Sequence, residues 1–145
     1  MTSFADALNQ FSLWCITKAP LIISTDLPAA TKVTIDILGN RAAIAVNQDS
    51  LGIPGHLVQN TDQVQVWTGP LSGGRYAAAL VNLDDTEELK VKLDWSQLPG
   101  TVPTSQQLQV HDLWNASASL GTFSSSIELR APPHGCRLLV LEQPQ

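Results

Sequence analysis

Apolar positions change period along this chain. Phe4, Leu8, Phe11 and Cys15 recur at helical spacing, and Ala7 and Trp14 widen the stripe. Leu13 and Ile16 lie on the other side, so the second half of this helix is apolar nearly all round and expects partners on more than one face. Ser3 followed by Asp6 has the form of a capping box, with Asp in place of the usual Glu or Gln. Ala19 precedes Pro20 and is biased away from helix, which places the helix end near Lys18. Leu21, Ile22 and Ile23 then run without polar alternation, and Leu21–Ser24 reads as a strand buried on both faces. Such strands belong mostly to parallel sheets covered by helices. A parallel sheet needs several strands joined through helices, and this pattern supplies only one.

Thr31 can cap a second helix running to Leu38, with Val33, Ile37 and Leu38 as its apolar positions and Gly39 at its C-terminus. A further helical piece, Arg41 to Val46, leads into Asn47-Gln48-Asp49. Gly52, Pro54 and Gly55 mark a boundary where the period falls from 3.6 to 2. Beyond it Val64, Val66 and Thr68 alternate with Gln63, Gln65 and Trp67, and a Pro70-Leu71-Ser72-Gly73-Gly74 turn leads into a strand over Arg75 to Asn82. Strands are also expected at Leu89–Leu93, Leu108–Trp114, Ser126–Arg130 and Cys136–Leu141. Short strands separated by turn signals predict an antiparallel sandwich. Leu89, Val91, Leu93, Leu138 and Val140 should face inward and Lys90 and Lys92 outward, since only one register hides the apolar set.

Composition narrows the function classes. The 145 residues are 43% hydrophobic and 14% charged, a globular balance. The formal charge is −5 and the eight Lys and Arg are scattered, which argues against a nucleic-acid footprint. No apolar run approaches the roughly 20 residues of a membrane helix. The N-terminus lacks the basic start and apolar core of a signal peptide. Cys15 and Cys136 are too few for a disulfide scaffold and lack metal-ligand spacing, so they read as buried apolar thiols.

Several stretches together resemble the C-terminal part of the α-galactosidases of glycoside hydrolase family 27. They are FSLWCITKAPLIISTDL, ILGNRAAIAVNQDSLG, VQVWTGPLSGGRYAAALVN, HDLW and PPHGCRLLVLE, in the family's order and at about its spacing. The resemblance implies a (β/α)8 barrel followed by an antiparallel β-domain. Leu21–Ser24 would then be the eighth barrel strand, with the seventh helix before it and the eighth at Thr31–Val46. Met1-Thr2 resembles a Met-Thr that is internal in the family, so the start reads as a truncated gene model or internal initiation.

The resemblance carries over no catalytic residue. Retaining glycosidases need two carboxyl groups roughly 5 Å apart. The family's pair stands in Lys-Tyr-Asp-like and Ser-Gly-Asp-like contexts. Here the only Tyr, Tyr76, precedes Ala77, and none of the nine Asp follows a Tyr or a Ser-Gly pair. Among the remaining candidates, Asp26 follows the expected strand and reads as a loop or helix-start residue, or as the border of a substrate pocket. Asp49 reads as an Asx-turn residue. His111 and Asp112 are strand neighbours, point to opposite faces and form no dyad. His56, His111 and His134 lack metal-ligand spacing, and His134 reads as part of a turn. Asn115-Ala116-Ser117 is an N-glycosylation sequon that matters only in a secreted chain.

The expected fold is therefore mixed: an α/β remnant of a (β/α)8 barrel, its last strand and flanking helices, followed by an all-β antiparallel sandwich. The expected division is 1–52 for the barrel end and 55–143 for the sandwich. The expected function is that of an α-galactosidase-like C-terminal portion, inactive by itself, whose parent acts on α-galactosides and is of a secreted or lysosomal type. The alternative is a carbohydrate-binding or structural module, with four tryptophans as candidate sugar platforms. No catalytic, substrate-binding or metal residue is assigned, no cofactor is expected, and neither nucleic acid nor membrane is expected as a partner. The unpaired barrel edge should promote self-association, and a chain starting near Gly55 should be the more soluble one.

Overall fold

In the computed structural model, which describes residues 3–145, the first helix, α1 (Phe4–Ile16), starts at the capping box the sequence proposes. The Asp6 amide donates to the Ser3 hydroxyl (3.1 Å) and the Ser3 amide to the Asp6 carboxylate (3.0 Å). The helix ends two residues before the expected Lys18. Lys18 takes a left-handed φ of 56°, its amide donates to the Cys15 carbonyl, and the Ala19 amide donates to that of Trp14. This is a Schellman close with lysine where glycine is usual. Met1 and Thr2, on which the reading of the chain start rests, lie outside the described residues.

Leu21–Ser24 is not paired as a strand. A strand is defined by its neighbours, and none of the described residues offers it an edge. The apolar run is left in the open, with Ile22 83% exposed and Ile23 55% exposed. The chain then forms α2 (Lys32–Leu38), capped by Thr31, and α3 (Arg41–Asn47), capped by Asn40.

Eight strands follow: β1 (His56–Asn60), β2 (Val64–Leu71), β3 (Arg75–Asn82), β4 (Leu89–Asp94), β5 (Gln107–Asp112), β6 (Ala118–Ser124), β7 (Ser126–Ala131) and β8 (Cys136–Glu142). They make an antiparallel sheet in the order β1-β2-β3-β8-β5-β6 and a two-stranded sheet β4-β7. The register matches expectation: Val91, Leu93 and Leu138 are buried, Leu89 and Val140 half-buried, and Lys90 and Lys92 exposed. β5 stops at Asp112 rather than Trp114, because residues 115–118 close a turn. There the Ala118 amide donates to Asn115 (2.8 Å), with Ala116 and Ser117 both at positive φ. That is the hairpin geometry that suits the strand twist. β6 escapes the sequence pattern because it is a mostly exposed, polar edge strand.

The larger sheet is buried on both faces. One face packs Ala78, Leu80, Leu139 and Leu141 against Val91, Leu93 and Ile127 of the small sheet, with Trp95 filling the end. The other packs Ala77, Ala79, Val81 and Leu138 against Phe11, Cys15 and Ile16 of α1 and Ala43 and Val46 of α3. This explains why β3 is rich in alanine: small side chains on a central strand let a layer approach from each side.

Candidate functional site

Chemistry-bearing side chains gather along the join between the helices and the larger sheet. Asp49 is the hub. Its carboxylate accepts from the Leu51 amide (3.1 Å), the Ser72 amide (2.8 Å), the Ser72 hydroxyl (2.7 Å) and the Arg75 guanidinium (3.2 Å). The Asx turn expected from the sequence is present, but three of the four donors come from the β2–β3 turn and β3. The Asp49 side chain is only 4% exposed. Burial pushes its pKa up, but the Ser72 hydroxyl and amide, the Leu51 amide and the Lys18 charge outweigh this and hold it below the usual carboxylate range.

Two asparagines complete the join. The Asn47 side chain donates to the carbonyls of Trp14 (3.1 Å) and Ala19 (2.8 Å), satisfying the open end of α1. Asn40 accepts from the first amides of α3 and donates to the Leu113 carbonyl (3.0 Å). The Trp114 indole donates to the Ser12 hydroxyl (2.7 Å), and Lys18 donates to the Val46 carbonyl. Apart from the local Asn40 cap, these partnerships were not legible from sequence, because each joins residues far apart along the chain.

The histidines stand apart from one another. His56 is exposed on β1. His111 lies on the helix side of the sheet, 3.1 Å from Glu142 and 3.3 Å from the Ser117 carbonyl. Asp112 faces the other way and pairs with Arg137 at 3.0 Å. His134 sits in the expected turn, left-handed, 2.9 Å from Asp85 and 3.8 Å from Asp6. Asp26 is exposed ahead of a short 3-10 turn and makes no capping bond with its side chain.

Of the carboxylates among the described residues, only Glu142 lines the cleft between α3 and the larger sheet. Hydrogen bonds from Ser3 hold Asp6 below the usual range, and the amides of Thr86 and Glu87 do the same for Asp84. Acid catalysis needs the opposite direction, a carboxyl pushed up so that it keeps its proton. Both thiols are buried, and burial raises each to about 12, which makes them inert. Trp95 is fully buried, and its indole donates to the Gln106 carbonyl (2.9 Å). Trp67 and Trp114 lean on the helix-side core, and Trp14 is the exposed indole, at 42%. Asn115 is exposed at the start of the β5–β6 turn.

Residues 61–141 match the family of α-galactosidase C-terminal β-sandwich domains, and residues 2–49 match that of α-galactosidase A. The chain is 40% identical over 143 residues to a probable α-galactosidase of Dictyostelium discoideum, covering 96% of this chain and 36% of that protein. It is 38% identical to an α-galactosidase of rice, Oryza sativa subsp. japonica, covering 96% and 32%. The crystal structure of α-galactosidase I from Mortierella vinacea superposes with a TM-score of 0.91 at 31% identity, covering 97% of this chain and 36% of that one. The chain thus spans about a third of the length of these relatives.

Proposed function

Because the chain belongs to the α-galactosidases of glycoside hydrolase family 27, through the end of the barrel and the C-terminal β-sandwich, we propose that it contributes a non-catalytic part to an enzyme that hydrolyses terminal α-galactosides, and that by itself it has no hydrolase activity. The reading divides the chain at the expected border, residues 1–52 as barrel end and 55–143 as sandwich. The observation that carries it is the state of the carboxylates. Retaining hydrolysis needs a nucleophile and a protonated acid roughly 5 Å apart across a sugar site. Asp49 and Asp112 are sealed by structural partners, and the displaced pKa values of Asp6, Asp49 and Asp84 all move down. The alternative of a carbohydrate-binding module working through a row of stacked indoles draws no support from the tryptophans, three of which lean on or fill the cores.

The test is incubation of the purified chain with an aryl α-galactoside and, separately, with a covalent mechanism-based galactosyl inhibitor. Release of the aryl group should stay at background and mass spectrometry should find no adduct. Stoichiometric labelling of any Asp or Glu would overturn the reading.

A further inference from the structure

On the helix side of the larger sheet, α3 covers only part of the surface and leaves a cleft of about 240 Å³ against β3, β5 and β8. Its floor is apolar, built from Val46, Leu113 and Val140. Its wall carries Arg75, His111 and Glu142 from three neighbouring strands. The Arg75 charge is matched by Asp49, and Glu142 is hydrogen-bonded to His111. His111 holds one ring nitrogen 3.1 Å from Glu142 and the other 3.3 Å from the Ser117 carbonyl. What remains open is hydrogen-bonding capacity. Among the described residues, the second Glu142 carboxylate oxygen, the Nη1 end of Arg75 and the Ser117 hydroxyl make no hydrogen bond.

We propose that this cleft binds a small neutral polyol of the size of one sugar ring. An apolar floor beside open donors and an open acceptor suits a ligand rich in hydroxyls. Its hydroxyls would donate to Glu142 and accept from Arg75, while the C–H face of the ring would lie on Val140 and Leu113. The volume falls just below the roughly 300–1,000 Å³ of clefts for drug-sized ligands. Binding here does not depend on the proposed enzymatic role.

The experiment is a titration of the full chain, isotope-labelled, with D-galactose, followed through backbone amide shifts, with glycine as the zwitterionic comparison. Saturable shifts should be confined to residues around Ala45, His111, Ser117 and Glu142, with a Kd in the millimolar range expected of a ligand so small. Ala45 is exposed on α3 and borders the cleft, so Ala45→Trp should fill it and abolish the shifts. Glu142→Gln should weaken binding about tenfold by removing a charged acceptor. Absence of saturable shifts, galactose binding unchanged in Ala45→Trp or Glu142→Gln, or glycine binding at the same residues as tightly as galactose would each overturn the proposal.

Discussion

Asp49 shows how one side chain can tie two layers together. It sits just after α3 yet takes most of its hydrogen bonds from Ser72 and Arg75. Replacing it with Asn would leave buried donors without a charged acceptor, a loss of about 1–3 kcal/mol. The sign of the pH dependence follows from its lowered pKa. Its contribution is fully present above the unfolded carboxylate value of about 3.9 and is lost as pH falls through the lower folded value. Urea unfolding of the parent and Asp49→Asn at several pH values should therefore show a gap that is constant near neutrality and closes below about pH 4. A gap that widens on acidification would mean that the carboxylate is not the stabilising form.

At the scale of elements, the passage from the helices to the sheet depends on a close approach of two backbones. The Gly55 amide donates to the Ile16 carbonyl at 2.8 Å, which ties the segment before β1 to the end of α1. Gly69 of β2 lies opposite: a Cβ on it would stand 2.7 Å from the Gly55 Cα, and one on Gly55 would stand 2.7 Å from the Ile16 side chain. The obstacle at Gly69 is backbone and cannot swing aside. Gly69→Ala is expected to lose about 1–3 kcal/mol through overpacking, whereas an exposed change such as Ser96→Ala should stay within about 0.5 kcal/mol. Thermal melts of the two variants beside the parent read this directly, and equal melting temperatures would refute the close-packed joint.

For the whole molecule, three layers share two cores, and the helical layer is half of one of them. Cutting at Gly55 removes Phe11, Cys15, Ile16, Ala43 and Val46 from the face formed by Ala77, Ala79, Val81 and Leu138. A chain starting near Gly55 would lack the helical half of this core, so its solubility is expected to fall rather than rise. The full chain still carries Ile22 and Ile23 in solvent on a segment that belongs to no sheet, a surface that invites a second copy. Sedimentation velocity should find concentration-dependent association of the full chain, reduced by Ile22→Ser with Ile23→Ser and made worse by truncation at Gly55. A monomeric truncated chain of unchanged stability would show that the sandwich holds its own face without the helices.

Local rules determined much of this protein from sequence. The Ser3–Asp6 capping box, the Thr31 cap, the change of period near Gly55 and the alternation Leu89-Lys90-Val91-Lys92-Leu93 each depend on neighbours within a few residues, and each appears as expected. The opposed directions of His111 and Asp112 follow from strand geometry alone. What only the tertiary structure decided are features that need a distant partner. Leu21–Ser24 has strand composition, but a strand exists only where another edge accepts its hydrogen bonds. Ala118–Ser124 lacks a strand pattern and is one because β5 pairs with it. Asp49 reads as a turn residue, and its principal bonds lie 23 to 26 residues away. The cleft beside Glu142 depends on three strands and a helix meeting at one place, and spacing along a single chain does not encode which strands become neighbours.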